Sequence, residues 1–169
     1  DGRRPPVELN GELVIGPIIG DVSETLVSAD GRWCVFSVTI SRPCSHSSAD
    51  ELYCVPLDGS RGPVQLFSSL SSRDDLGGVE LTPDGTRVLF RAGSEEGESY
   101  DLFSVPIEGG TEPVQLNTPT DSYWGAGKFQ LAPDGRHALY VQDVDDIGQL
   151  FLVPVDGSSP AVQLTHIPS

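Results

Sequence analysis

Leu81–Phe90 reads LTPDGTRVLF. Pro83 fixes its own φ, Asp84 turns its carboxylate back on the following amides, and Gly85 accepts a positive φ. The chain therefore reverses there in a tight hairpin. Arg87 to Phe90 follow with the period of a strand, Val88 and Phe90 expected inward, Arg87 and Leu89 outward. The same stretch occurs twice more, as VSADGRWCVF from Val27 and LAPDGRHALY from Leu131. Asp30, Asp84 and Asp134 thus recur at intervals of about 50 residues, which marks a repeat architecture.

Each copy continues in the same way. ELYCVPLDG from Glu51, DLFSVPIEGG from Asp101 and QLFLVPVDG from Gln149 each give a strand that ends at Pro and enters an acidic-Gly turn. PVQLF from Pro63, PVQLN from Pro113 and AVQLT from Ala161 then close the copy. Pro cannot donate to a ladder, so the closing strand is expected at the edge of its sheet. With the segment that leads into Pro-Asp-Gly, each copy holds four antiparallel strands. The expected fold is all-β. Blade 1 spans 13–70, blade 2 spans 71–119, blade 3 spans 120–169, and 1–12 forms an additional N-terminal strand or linker. Such sheets are two-sided and must stack face to face, and radial stacking gives a β-propeller.

The carrying residues are Pro83-Asp84-Gly85 with Phe90, Pro133-Asp134-Gly135 with Tyr140, and Ala29-Asp30-Gly31 with Phe36, where Ala29 departs from the pattern. Together with the V-P-(I/L/V)-(D/E)-G and P-V-x-L strings they resemble the Tol-type β-propeller repeat. That resemblance implies the fold over essentially the whole chain. Such repeats occur in periplasmic scaffolds, in propeller domains of prolyl-oligopeptidase-like enzymes and in secreted or cell-surface bacterial proteins. VELNGELVIGPIIGDV, Val7 to Val22, looks like the inter-blade segment of the surface-protein branch. An extracellular or periplasmic setting is expected on that ground. The sequence has no Met and opens at Asp1, so a processed product or an excerpt of a longer chain is expected.

Closed propellers hold about four to eight blades. Three blades leave two open faces, each apolar on the side meant for a neighbour. The chain would be an excerpt of a longer propeller, or pair with a second chain in a six-bladed ring, or associate in a non-closing series. DGRRPPVELN copies the closing strand, yet blade 3 already has its own at Ala161–Thr165. Pro6, Val7, Glu8, Leu9 and Asn10 are therefore expected to add to a sheet edge of a neighbouring copy, where backbone hydrogen bonds give affinity. The alternative is a linker.

The formal net charge is −15, which argues against nucleic acid or an anionic bilayer as partner. No apolar run reaches the roughly 20 residues of a membrane-spanning helix. Cys34 and Cys54 are near-opposite across one hairpin, and the extracellular setting favours one disulfide, with Cys34–Cys54 the first candidate and Cys44 able to replace either. Asp143, Asp145 and Asp146 offer several oxygens from one short loop, as calcium wants, although the match to a twelve-residue loop is poor. Glu95, Glu96 and Glu98 form the matching acidic loop of blade 2. No cofactor is expected beyond that calcium. His137 is expected in a blade interface, His46 in a Ser-rich loop and His166 near the C-terminus. Asp21, Glu24, Asp74, Asp75, Asp121, Tyr123 and Trp124 would lie near a central mouth, but no spacing selects an acid/base pair. There is no G-x-S-x-G elbow. The expected function is a non-enzymatic secreted module of structural assembly or adhesion. A ligand- or peptide-binding fragment of a larger enzyme or scaffold is the alternative.

Overall fold

The computed structural model describes residues 19–41, 48–68, 74–94, 99–118 and 125–167. They form three four-stranded antiparallel sheets. The first holds β1 (Ile19–Val27), β2 (Trp33–Ser41), β3 (Ser48–Pro56) and β4 (Val64–Ser68). The second holds β5 (Asp74–Leu81), β6 (Arg87–Ser94), β7 (Ser99–Pro106) and β8 (Val114–Gln115). The third holds β9 (Ala126–Leu131), β10 (His137–Val144), β11 (Ile147–Pro154) and β12 (Val162–Gln163). Every sheet keeps chain order, so the closing strand lies at one edge, as its leading proline requires.

The Pro-Asp-Gly hairpins are built from side chains. Gly31, Gly85 and Gly135 take φ of 68°, 67° and 66°. The Asp84 carboxylate accepts from the Thr86 amide (3.0 Å) and from the Thr82 hydroxyl (2.6 Å), while that hydroxyl accepts from the Arg87 amide (3.0 Å). Ser28 does the same in blade 1, donating to Asp30 (2.6 Å) and accepting from the Trp33 amide (3.0 Å). Blade 3 has Ala132 at this position and no hydroxyl. There the Asp134 carboxylate contacts His137 Nδ1 at 2.7 Å instead. His137 thus opens β10 with a side chain 39% exposed and held by the turn carboxylate, at the position that Arg87 takes in blade 2.

The closing strands differ in length for a local reason. In blade 2 the Asn117 Oδ1 accepts from the Leu102 amide (2.8 Å), and in blade 3 the Thr165 hydroxyl accepts from the Leu150 amide (2.8 Å). The side chain takes the ladder position, and β8 and β12 stop after two residues. Phe67 holds the equivalent place in blade 1 and offers no acceptor. There the ladder continues, with Leu52 facing Phe67 and Glu51 facing Ser68.

The sheets stack. Val35, Leu52, Cys54 and Leu66 of blade 1 pack on Val88, Phe90, Ala92, Val105 and Ile107 of blade 2. Leu89, Leu102 and Leu116 of blade 2 pack on Ala138, Tyr140, Val153 and Val155 of blade 3. Blade 2 is therefore covered on both faces, and Val88, Leu89 and Phe90 are all fully buried. Leu89, expected outward, meets the next blade; each such leucine contributes about 1.5–3 kcal/mol by leaving water.

The register also corrects the cysteine expectation. Cys34 faces Val55 and Cys54 faces Val35, so the two sulfurs lie on opposite sides of the sheet. Both thiols are free. Cys54 sits in the joint with blade 2, where burial pushes its thiol up to about 11. Cys34 packs beside Phe36 and Val38 on the other face, and burial raises its thiol too.

Candidate functional site

The joint between blades occurs twice, and among the described residues a third copy of its forward half has no blade packed against it. Its centre is apolar, as above, and polar pegs fix its rim. The Arg87 Nε donates to the Ser104 hydroxyl (2.8 Å) and to the Val155 carbonyl of blade 3 (3.1 Å). Burial lowers the pKa of this guanidinium, and Asp156 of blade 3 partly opposes the shift. At the first joint Arg61 lies over the Trp33 ring at 5.0 Å and donates to the Glu108 carbonyl of blade 2 (3.1 Å).

Turn glycines complete the joint. A Cβ on Gly109 would come 2.8 Å from Val64 Cγ1, and one on Gly157 would come 2.6 Å from Val114 Cγ1. So each closing-strand valine presses into the turn of the following blade, where only glycine leaves room. Gly59, the equivalent in blade 1, has nothing within 4 Å.

Blade 3 repeats the forward half. Leu139, Leu150 and Leu164 correspond to Leu89, Leu102 and Leu116. The blade 2 residues are 0%, 0% and 4% exposed, whereas Leu164 is 50% exposed and Leu139 and Leu150 are only half-buried. Val162, equivalent to Val64 and Val114, is 60% exposed, and Val141 is 42%. Five of the eight large apolar side chains left exposed among the described residues belong to blade 3, which singles out this end.

No protein-family model matches the sequence, and no curated protein does either. Solved structures do. The β-propeller domain of the trilobed protease from Pyrococcus furiosus matches with TM-score 0.57 at 10% identity, over 85% of this chain and 43% of that one. An oligogalacturonate lyase in complex with manganese matches with TM-score 0.63 at 15% identity, over 92% and 44%. A dipeptidyl aminopeptidase IV of Bacteroides ovatus matches with TM-score 0.60 at 12% identity, over 89% and 29%. The fold is a partial β-propeller. The described chain spans less than half the length of each of these neighbours.

The opposite end of the partial propeller differs. On the back of blade 1, Phe36, Val38, Ile40 and Val55 are 7% exposed or less, and the described residues packed with them, Cys34 and Tyr53, belong to blade 1 as well.

Other expected sites are placed as follows. Val144 pairs with Ile147, so Asp145 and Asp146 are the two central residues of a tight hairpin, at φ of 51° and 62°. Asp143 lies in the ladder opposite Gly148. Among the described residues no three His, Cys, Asp or Glu side chains gather to hold an ion, these included. Asp21 and Glu24 are exposed on β1, while Asp75 on β5 accepts from the Tyr100 hydroxyl (3.3 Å). His166 is exposed. Pro6, Val7, Glu8, Leu9, Asn10, Cys44, His46, Glu95, Glu96, Glu98, Asp121, Tyr123 and Trp124 lie outside the described residues, as does the Asp74 side chain.

Sequence reasoning did not pick Arg87, Arg61, Gly109 or Gly157 as joint residues. Aligning the three turns shows the glycines as invariant among the copies, yet a positive φ already explains them. Their second duty, making room for a valine one blade away, appears only in three dimensions.

Proposed function

We propose that this chain is a non-enzymatic propeller module whose work is blade-on-blade assembly, and that the forward face of blade 3 receives a further blade. One observation carries the reading: Leu139, Leu150, Leu164 and Val162 reproduce a joint made twice within the chain, but without a cover. A blade ending on such leucines is unfinished. An extracellular or periplasmic setting and a role in structure or adhesion go with this reading, and both rest on the sequence resemblance. Strand addition by Pro6–Asn10 would act alongside the face.

The test is a chain extended after Ile167 by a second copy of residues 71–119, carrying Leu164→Cys as a probe. The extended chain should protect that thiol from alkylation and raise Tm relative to the parent. A probe labelled equally fast in both chains overturns the reading.

A further inference from the structure

We propose that the partner of blade 3 is a propeller blade with glycine, and no other residue, in the turn between its third and fourth strands, because Val162 and Leu164 close on that glycine. This rests on the docking reading above and names the chemistry of the partner. Val-Gln-Leu occurs three times, at Val64–Leu66, Val114–Leu116 and Val162–Leu164. The first two copies close on the turn of the following blade. A Cβ on Gly109 would lie 2.8 Å from Val64 Cγ1 and 3.4 Å from Leu66 Cδ2. One on Gly157 would lie 2.6 Å from Val114 Cγ1 and 3.6 Å from Leu116 Cδ2. Leu66 and Leu116 are each 4% exposed, whereas Leu164 is 50% exposed. The third copy therefore presents the same grip to solvent.

This contact is the part of the joint that does not vary. The rim peg changes: Arg61 reaches the Glu108 carbonyl at the first joint, Arg87 reaches the Val155 carbonyl at the second, and His137 holds the Arg87 position in blade 3. The apolar filling changes as well, Val88 and Phe90 of the first joint giving way to Ala138 and Tyr140 in the second. Valine, leucine and glycine stay. Two demands fix the glycine. Gly109 and Gly157 take φ of 72° and 69°, a left-handed backbone that most side chains resist. A Cβ there would also stand closer to a valine methyl than the roughly 3.5–4.0 Å at which carbon atoms pack. Asn meets the first demand, since its short polar side chain tolerates the left-handed turn, but it fails the second. A blade with Asn in this turn can fold and is still refused by Val162.

The test is native-state hydrogen exchange of the β12 amides in the chain extended after Ile167 by residues 71–119, with Leu164 left in place. The extension should slow them. Gly109→Asn in the appended copy should return at least ten-fold of the lost exchange rate, and adding Val162→Ala should restore at least three-fold of the protection. Circular dichroism checks that the appended blade folds. Where it does not, Gly157→Asn with Val114→Ala at the built joint decides, through their coupling in urea midpoints. Slowed β12 amides that ignore Gly109→Asn overturn the glycine rule and leave the docking reading standing. An opening that Val162→Ala does not relieve, or no coupling at the built joint, overturns the rule too. Amides that are not slowed by the unsubstituted extension overturn the docking reading and this proposal with it.

Discussion

Thr82 accepts the Arg87 amide and donates to Asp84 from a site 1% exposed. Thr82→Val keeps the shape and removes both bonds, leaving a buried N–H without that acceptor. The expected loss is about 1–3 kcal/mol in urea unfolding, with m unchanged. The partner carboxylate sets a pH dependence. Hydrogen bonding from Thr82, then from the Thr86 amide, holds Asp84 below the ordinary carboxylate pKa, and Ser28 and the Arg32 amide do the same for Asp30. A group depressed in the folded state binds protons more readily when unfolded. Its stabilisation is therefore complete above about pH 4 and is lost as pH falls through the folded value. Urea midpoints should drop below that pH, and Asp84→Asn should flatten the drop. The turn itself was legible, since Pro, Asp and Gly each act on their own backbone. His137 was not. Its place depends on Ala132 lacking a hydroxyl, and a strand period says nothing about which neighbour a turn carboxylate will take.

Single side chains decide how the strands end and how they meet. Asn117 is 4% exposed and stands in for backbone at the Leu102 amide. Asn117→Ala is expected to cost about 1–3 kcal/mol, because that N–H has no replacement acceptor at the end of β8. The blade joint is measured by a pair of glycines. Gly59→Ala puts a side chain into open space at φ of 70°, so only the left-handed backbone opposes it, about 1–2 kcal/mol. Gly157→Ala adds a collision with Val114, about 1–3 kcal/mol more, and Val114→Ala should relieve that second part in a double-mutant cycle. Cys34 and Cys54 show the limit of spacing arguments at this scale. Their separation gave near-opposition correctly, but a register change of one residue moves a side chain to the other face. Peptide mapping of the native, unreduced chain should recover Cys34 and Cys54 without a bond between them.

Across the whole molecule, cover falls from the middle blade toward the far end of blade 3. The repeat count predicted unfinished faces, and the period placed Leu89 outward because a strand read alone has one wet side. Stacking gives it none. That difference implies a gradient in local stability, since elements with few buried contacts open below the global limit. Amides of β6, between two packed faces, should exchange only through global unfolding. Amides around β12, beside Val162 and Leu164, should exchange orders of magnitude faster. A further blade seated on blade 3 should remove that contrast. In the chain extended after Ile167, amides around β12 should slow toward those of β8 while β4 stays unchanged, because only the covered strand loses its local opening. Equal exchange around β12 in the parent and the extended chain would mean that no blade has docked there.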